Sequence, residues 1–133
     1  MPQVPRPRDT ITVPNKPYTG DVPKLPPGAS FGDEVREWYA VISRLPHAGT
    51  WTEADWLSIR EIVRMKQKMF DALDDPDSKA SSVSNIASEI RRREDALGIT
   101  TAGRRRLNIE YVEPTERRAS SGAAARERVR PTG

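Results

Sequence analysis

Leu97-Gly98-Ile99-Thr100-Thr101-Ala102-Gly103-Arg104-Arg105-Arg106-Leu107 is the stretch on which the reading of this chain turns. Gly98 suits the left-handed position that closes a helix, because it has no Cβ to clash. Ile99, just beyond it, can pack back on the last turn, and Thr100 is a good N-cap for a second helix. The stretch therefore predicts the end of one helix, a tight stop and a short second helix. That second helix carries three consecutive arginines beside Leu107 and Ile109. Gly103 lies inside it and weakens it, by about 1 kcal/mol relative to alanine.

Upstream of this junction the apolar spacing is helical. A helix starting near Ser82 or Ser84 buries Val83, Ile86, Ala87, Ile90 and Leu97. On it Glu89 can pair with Arg93 and Arg91 with Asp95, whereas Arg92 points nearly opposite the core. Before that, Thr52 caps a helix with Asp55 three residues on. This helix runs to about Leu73 and stops before Asp74-Asp75-Pro76. An earlier helix begins at Ser30, with Asp33 as a weak capping-box partner, and carries Phe31, Val35, Trp38, Tyr39, Ile42 and Leu45. Pro46 and the turn through Gly49 end it. The fold class expected is all-α: a small bundle of three to four helices around a long central one.

The central helix is apolar over an unusually wide arc. Trp56, Ile59, Val63, Phe70 and Leu73 form one stripe, and Leu57, Ile62, Met65 and Met69 broaden it. A helix apolar on one narrow face packs once, whereas a broad face packs on two sides. The second partner is either another element of the same chain or another copy. The second option makes Trp56, Leu57, Ile62, Met65 and Met69 candidates for oligomerisation. The same helix carries Arg60, Arg64 and Lys68, which form one ridge because steps of four residues advance only ~40° around the axis.

The ends differ from this body. Eight of the twelve prolines fall in residues 1–28, where they remove donors and bar helix interiors. Residues 1–29 therefore read as an extended or disordered arm, within which Thr10-Ile11-Thr12-Val13 can make a short β-like contact. Residues 30–110 read as the helical body and residues 111–133 as a flexible basic tail too poor in apolar groups to order itself. The net charge is +3, with four basic against two acidic residues in 1–28, six against nine in 29–75 and twelve against eight in 76–133. Basic ends around a mildly acidic middle favour an anionic partner, nucleic acid first. The candidate DNA contacts are Arg60, Arg64, Lys68, Arg92, Arg104, Arg105 and Arg106.

Much chemistry is excluded. The 133 residues contain no cysteine and one histidine, His47, which leaves no thiolate site and makes a histidine zinc site untenable. There is no Walker loop or dinucleotide fingerprint, so no cofactor is expected. No apolar run approaches a membrane span and no signal-peptide core is present, which points to a soluble, intracellular chain. About 80 ordered residues leave little room for a catalytic pocket, and the chain does not read as an enzyme.

Three pieces in order carry a resemblance: a helix around Trp38 followed by Leu45-Pro46, the Thr52-Glu53-Ala54-Asp55-Trp56 start of a long helix, and the Leu97-Gly98-Ile99-Thr100 stop before Arg104-Arg105-Arg106-Leu107. Together, over about residues 30–110, they resemble the small terminase subunit of tailed bacteriophages. In that family the junction commonly has proline where Thr101 stands here, and Gly103 also departs from its helical pattern. The resemblance implies a non-catalytic adaptor in the host cytoplasm. It would bind double-stranded viral DNA and deliver it to the large terminase subunit, which holds the ATPase and nuclease. It also implies a homo-oligomeric ring, a closed oligomer of about 8–12 copies. The alternative is a small helical transcription regulator acting as a dimer.

Overall fold

Thr52 opens the longest helix by a device written in four residues. Its hydroxyl accepts from the Asp55 N–H at 3.2 Å, and the Asp55 carboxylate accepts from the Thr52 N–H at 3.0 Å. This reciprocal cap satisfies two of the donors that a helix start leaves open. The computed structural model describes residues 9–27 and 30–114. In chain order its elements are β1 (Ile11–Pro14), α1 (Asp33–Ile42), α2 (Glu53–Asp74), α3 (Ala80–Ala96), α4 (Thr101–Leu107) and β2 (Ile109–Val112), with a 3₁₀ turn at Ala48–Thr50. The all-α expectation, with a long central helix, holds, and a two-stranded parallel sheet is added to it. The outer arm and tail, residues 1–8 and 115–133, lie outside the described residues.

The breadth of apolar surface on α2 is used inside the chain. Ile59, Ile62 and Val63 are fully buried. Val35, Tyr39 and Ile42 of α1, Ile90 of α3, its C-cap Leu97, and Phe31, Ala48 and Trp51 complete the core. Each fully buried aliphatic side chain contributes about 1.5–3 kcal/mol. Trp56 meets Trp51 edge-on, with ring centroids 5.0 Å apart at 88°, and Tyr39 at 6.4 Å and 70°. The contact of α2 with α3 is antiparallel. Arg93 pairs with Glu61 at 2.7 Å and Lys66 with Glu94 at 3.3 Å across it. Lys66 also sits 4.8 Å over the Trp38 ring.

Several element ends differ from the sequence expectation. The first helix starts at Asp33, not Ser30, and its N-cap Gly32 makes no side-chain cap. The Gly32 N–H instead donates to Gln67 Oε1 of α2 at 2.8 Å, so a tertiary contact fixes this start. Leu45 lies beyond the end of α1 in a series of turns. The third helix starts at Ala80, ahead of both Ser82 and Ser84, with no side-chain cap. A turn at Asp75 sets its entry: the Asp77 N–H donates to the Asp75 carboxylate and the Ser78 N–H to the Asp75 carbonyl.

Part of the proline-rich arm is folded onto the body. The β-like contact falls on Ile11–Pro14, one residue later than Thr10–Val13, and it pairs in parallel with Ile109–Val112. The sheet thus carries regular structure past residue 110, across the expected start of the tail. The Ile11 and Asn15 N–H groups donate to Asn108 and Val112 carbonyls. In an alternating ladder this turns residue 14 away from β2, a position where proline loses no sheet hydrogen bond. Farther along, the Tyr18 N–H donates to the Arg44 carbonyl, and Arg44 Nη1 donates back to the Tyr18 and Gly20 carbonyls, each at 3.1 Å. The Tyr39 hydroxyl donates to the Pro23 carbonyl.

Candidate functional site

The junction after α3 is built as its sequence dictates. Gly98 has φ +71°, its N–H donates to the Asp95 carbonyl, and the Ile99 N–H donates to the Glu94 carbonyl. These are the paired bonds of a glycine-terminated helix, and Ile99 packs against the core. The Thr100 hydroxyl accepts from the Gly103 N–H at 2.9 Å and so caps α4. Gly103 corrects the view of that residue as a mere weakness. It is buried, and a Cβ there would collide with the Asp95 backbone. The glycine lets α4 lie directly on the end of α3. Asn108, at φ 62°, then turns the chain from α4 into β2, a left-handed position that asparagine tolerates.

His47 locks this junction from the other side. It is 1 % exposed. Its Nε2 lies 3.0 Å from the Leu97 carbonyl, which can only accept, so in the neutral ring Nε2 carries the proton. Nδ1 is then the acceptor for the Tyr111 hydroxyl at 2.6 Å. Trp51 Nε1 donates to the same Leu97 carbonyl at 3.1 Å. Burial lowers the His47 pKa below its ordinary 6.5, the Leu97 hydrogen bond opposes that, and the charge of Arg104 lowers it further. Burial likewise raises the Tyr111 pKa, against the pull of Arg104.

The arginines at this end differ sharply from one another. Arg104 Nη1 donates to the Gly98 and Ile99 carbonyls at 3.0 and 3.1 Å, and its guanidinium sits 4.8 Å over the Tyr111 ring. It holds carbonyls at the end of α3 and braces β2. Arg105 and Arg106 are exposed. Arg92, with its side chain 74 % exposed, pairs with Glu89 at 2.9 Å. The Glu89–Arg93 pair forms at 3.0 Å. Asp95 is engaged by the Thr100 hydroxyl, and the structure shows no Arg91–Asp95 ion pair.

The ridge on α2 lies on a different surface. Arg64 and Lys68 are exposed and Arg60 is half-buried beside Tyr39. Arg64 and Lys68 stand roughly 18 and 24 Å along the helix from its capped start, the end tied to the last turn of α3 by the Trp51–Leu97 hydrogen bond. The fold therefore does not join the two basic sets into one patch. Among the five oligomerisation candidates, Ile62 requires correction: it has no exposed surface and belongs to the protomer core. Trp56, Met65 and Met69 are half-buried against that core, and Leu57 remains 53 % exposed. The reading of sequence alone missed the outward face of α1, where Glu34, Glu37 and Val41 are exposed. The signal was present, since all three fall off the apolar stripe.

A family model described as phage terminase small subunit matches residues 3–131, nearly the whole chain. The chain belongs to the phage terminase small subunit family. That membership gives this small subunit a role in phage DNA packaging. No curated protein and no solved structure matches the chain. Among the described residues, no helix of this small subunit is long and apolar enough to cross a membrane.

Proposed function

We propose that this chain is a non-catalytic packaging adaptor. It binds viral double-stranded DNA as a homo-oligomeric ring and hands it to the large terminase subunit. Family membership over residues 3–131 is the observation that carries the reading. The DNA contact is assigned to Arg105 and Arg106 on α4, with Arg92 on α3. These side chains are exposed, and α4 is fixed in place by the Thr100 cap, Gly103 and Arg104. Arginines held on a short rigid element contact phosphates without reading sequence, and such contacts weaken steeply with salt.

Filter binding of duplex DNA across a salt series, with mass measurement of the protein alone, tests this. The protein alone should be a closed oligomer at micromolar concentration. Replacing Arg105 and Arg106 together by alanine should weaken DNA retention and lower the salt slope by about 2, at ~0.9 per lost phosphate contact. A monomeric wild-type chain, or unchanged retention and slope in the double variant, overturns the reading.

A further inference from the structure

The charges between α2 and α3 are matched within the chain, Glu61 with Arg93 and Glu94 with Lys66. The outward faces of α1 and α2 are not. Glu34 and Glu37 on α1, and Arg64 and Lys68 on α2, are exposed, and among the described residues no ion pair or hydrogen bond engages them. Each face also leaves one large apolar side chain in water, Val41 at 60 % and Leu57 at 53 % exposure. Within one chain the two faces cannot meet, because α1 packs inward through Val35, Tyr39 and Ile42.

Along α1 the outward order is acidic and then apolar. Along α2 it runs from apolar Leu57, past Glu61, whose charge Arg93 matches, to basic Arg64 and Lys68. From Val41 back to Glu34 and from Leu57 forward to Arg64 are equal steps of seven residues, each about 10.5 Å on a helix. An antiparallel approach therefore sets Val41 on Leu57 and Glu34 on Arg64 at once. A parallel approach sets acid on Leu57 and Val41 on Arg64. We propose that α1 of one copy docks antiparallel on the outward face of α2 of a second copy, with Val41 against Leu57 and Glu34 against Arg64. The contact uses two different surfaces, so it runs head to tail, the geometry that closes rings. The proposal rests on the oligomeric adaptor reading and adds the interface to it. It also moves the α2 ridge from the DNA to a neighbouring subunit.

Charge reversal in the full chain tests it. Glu34→Lys or Arg64→Glu alone should raise the concentration needed for assembly by about tenfold or more, read by mass measurement in solution. The pair combined should restore the wild-type oligomer. All these side chains are exposed, so the circular dichroism spectrum of each variant should keep its helical content. Because the chain has no cysteine, Val41→Cys with Leu57→Cys gives an independent readout. Mild copper-phenanthroline oxidation should produce a ladder of disulfide-linked multimers on a non-reducing gel, and each single cysteine nothing beyond dimer.

Single reversals that leave the oligomer intact overturn the interface and leave the adaptor reading standing. So does a double variant that fails to reassemble, or a double-cysteine chain without a ladder. A wild-type monomer removes the adaptor reading itself. Loss of DNA retention in Arg64→Glu at unchanged subunit mass assigns the ridge to phosphate and overturns the interface.

Discussion

Two regions of this small subunit carry arginines, and they use them in opposite ways. At the α3–α4–β2 junction Arg104 is gripped by two carbonyls and an aromatic ring, beside a buried histidine and a glycine with no room for a methyl group. On the outward face of α2, Arg64 and Lys68 stand in water with no partner in their own chain among the described residues. Residue type does not distinguish the two cases. What separates them is whether backbone acceptors are within reach. The last turn of a helix exposes carbonyls that need donors, and the middle of a helix exposes none. Arg104 reaches such carbonyls just past the end of α3 and is drawn into the fold, while Arg64 and Lys68, at mid-helix on an outward face, meet none.

The contrast can be broken by substitution. The largest effect is expected for Trp51→Ala, which removes a buried indole and one of two donors to the Leu97 carbonyl. It should cost about 3–5 kcal/mol, read as a large fall in Tm. Gly103→Ala comes next and decides between two arguments. Helix propensity alone predicts a gain of about 1 kcal/mol. The Asp95 backbone lying against Gly103 predicts a loss of about 1–3 kcal/mol by overpacking, and a falling Tm supports the junction as described.

A smaller effect appears only in acid. The folded His47 pKa lies below its ordinary 6.5, so the unfolded chain binds the proton first. The stability that neutral His47 contributes is complete above the unfolded value. It is lost as pH falls through 6.5 toward the folded value. Tm should decline as pH falls through 6.5, and His47→Gln should flatten that decline while lowering Tm at neutral pH. Arg64→Ala sits at the other extreme. Its effect on monomer stability should stay within about 0.5 kcal/mol, as for surface positions without special contacts. A larger loss in urea unfolding would mean that the outer face of α2 is not open.

Legibility in the sequence followed the range of the interaction. The Thr52–Asp55 capping box, the Gly98 stop and the Thr100 cap each depend on groups three to five residues apart, and all form where the sequence places them. The start of α1 rests on a distant contact and falls elsewhere than its local pattern suggests. Gly32 is fixed by Gln67, thirty-five residues away, and Ser30 lacks the role its capping pattern offered. Within the candidate site, the sequence offered Arg104, Arg105 and Arg106 as equals, and the structure separates them: Arg104 is held by the Gly98 and Ile99 carbonyls and the Tyr111 ring, while Arg105 and Arg106 are exposed. The breadth of α2 was visible from its residues, but α1 and α3 cover most of it, and Leu57 alone among the five oligomer candidates stays outside.

The sequence by itself determined the helical class, the long central helix, the junction at Gly98 and Thr100, and the family. These rest on periodicity and on caps whose partners lie within one turn, so the chain encodes them before it folds. The tertiary structure alone decided the pairing of Ile11–Pro14 with Ile109–Val112, the burial of His47 against Leu97 and Tyr111, the need for glycine at 103 and the separation of the two basic sets. Each of these depends on how separate elements pack, across the α3–α4 junction at Gly103 and across most of the chain for the sheet and His47. A local pattern fixes dihedral angles and cap bonds, while only packing fixes which carbonyl, ring or helix end a side chain meets.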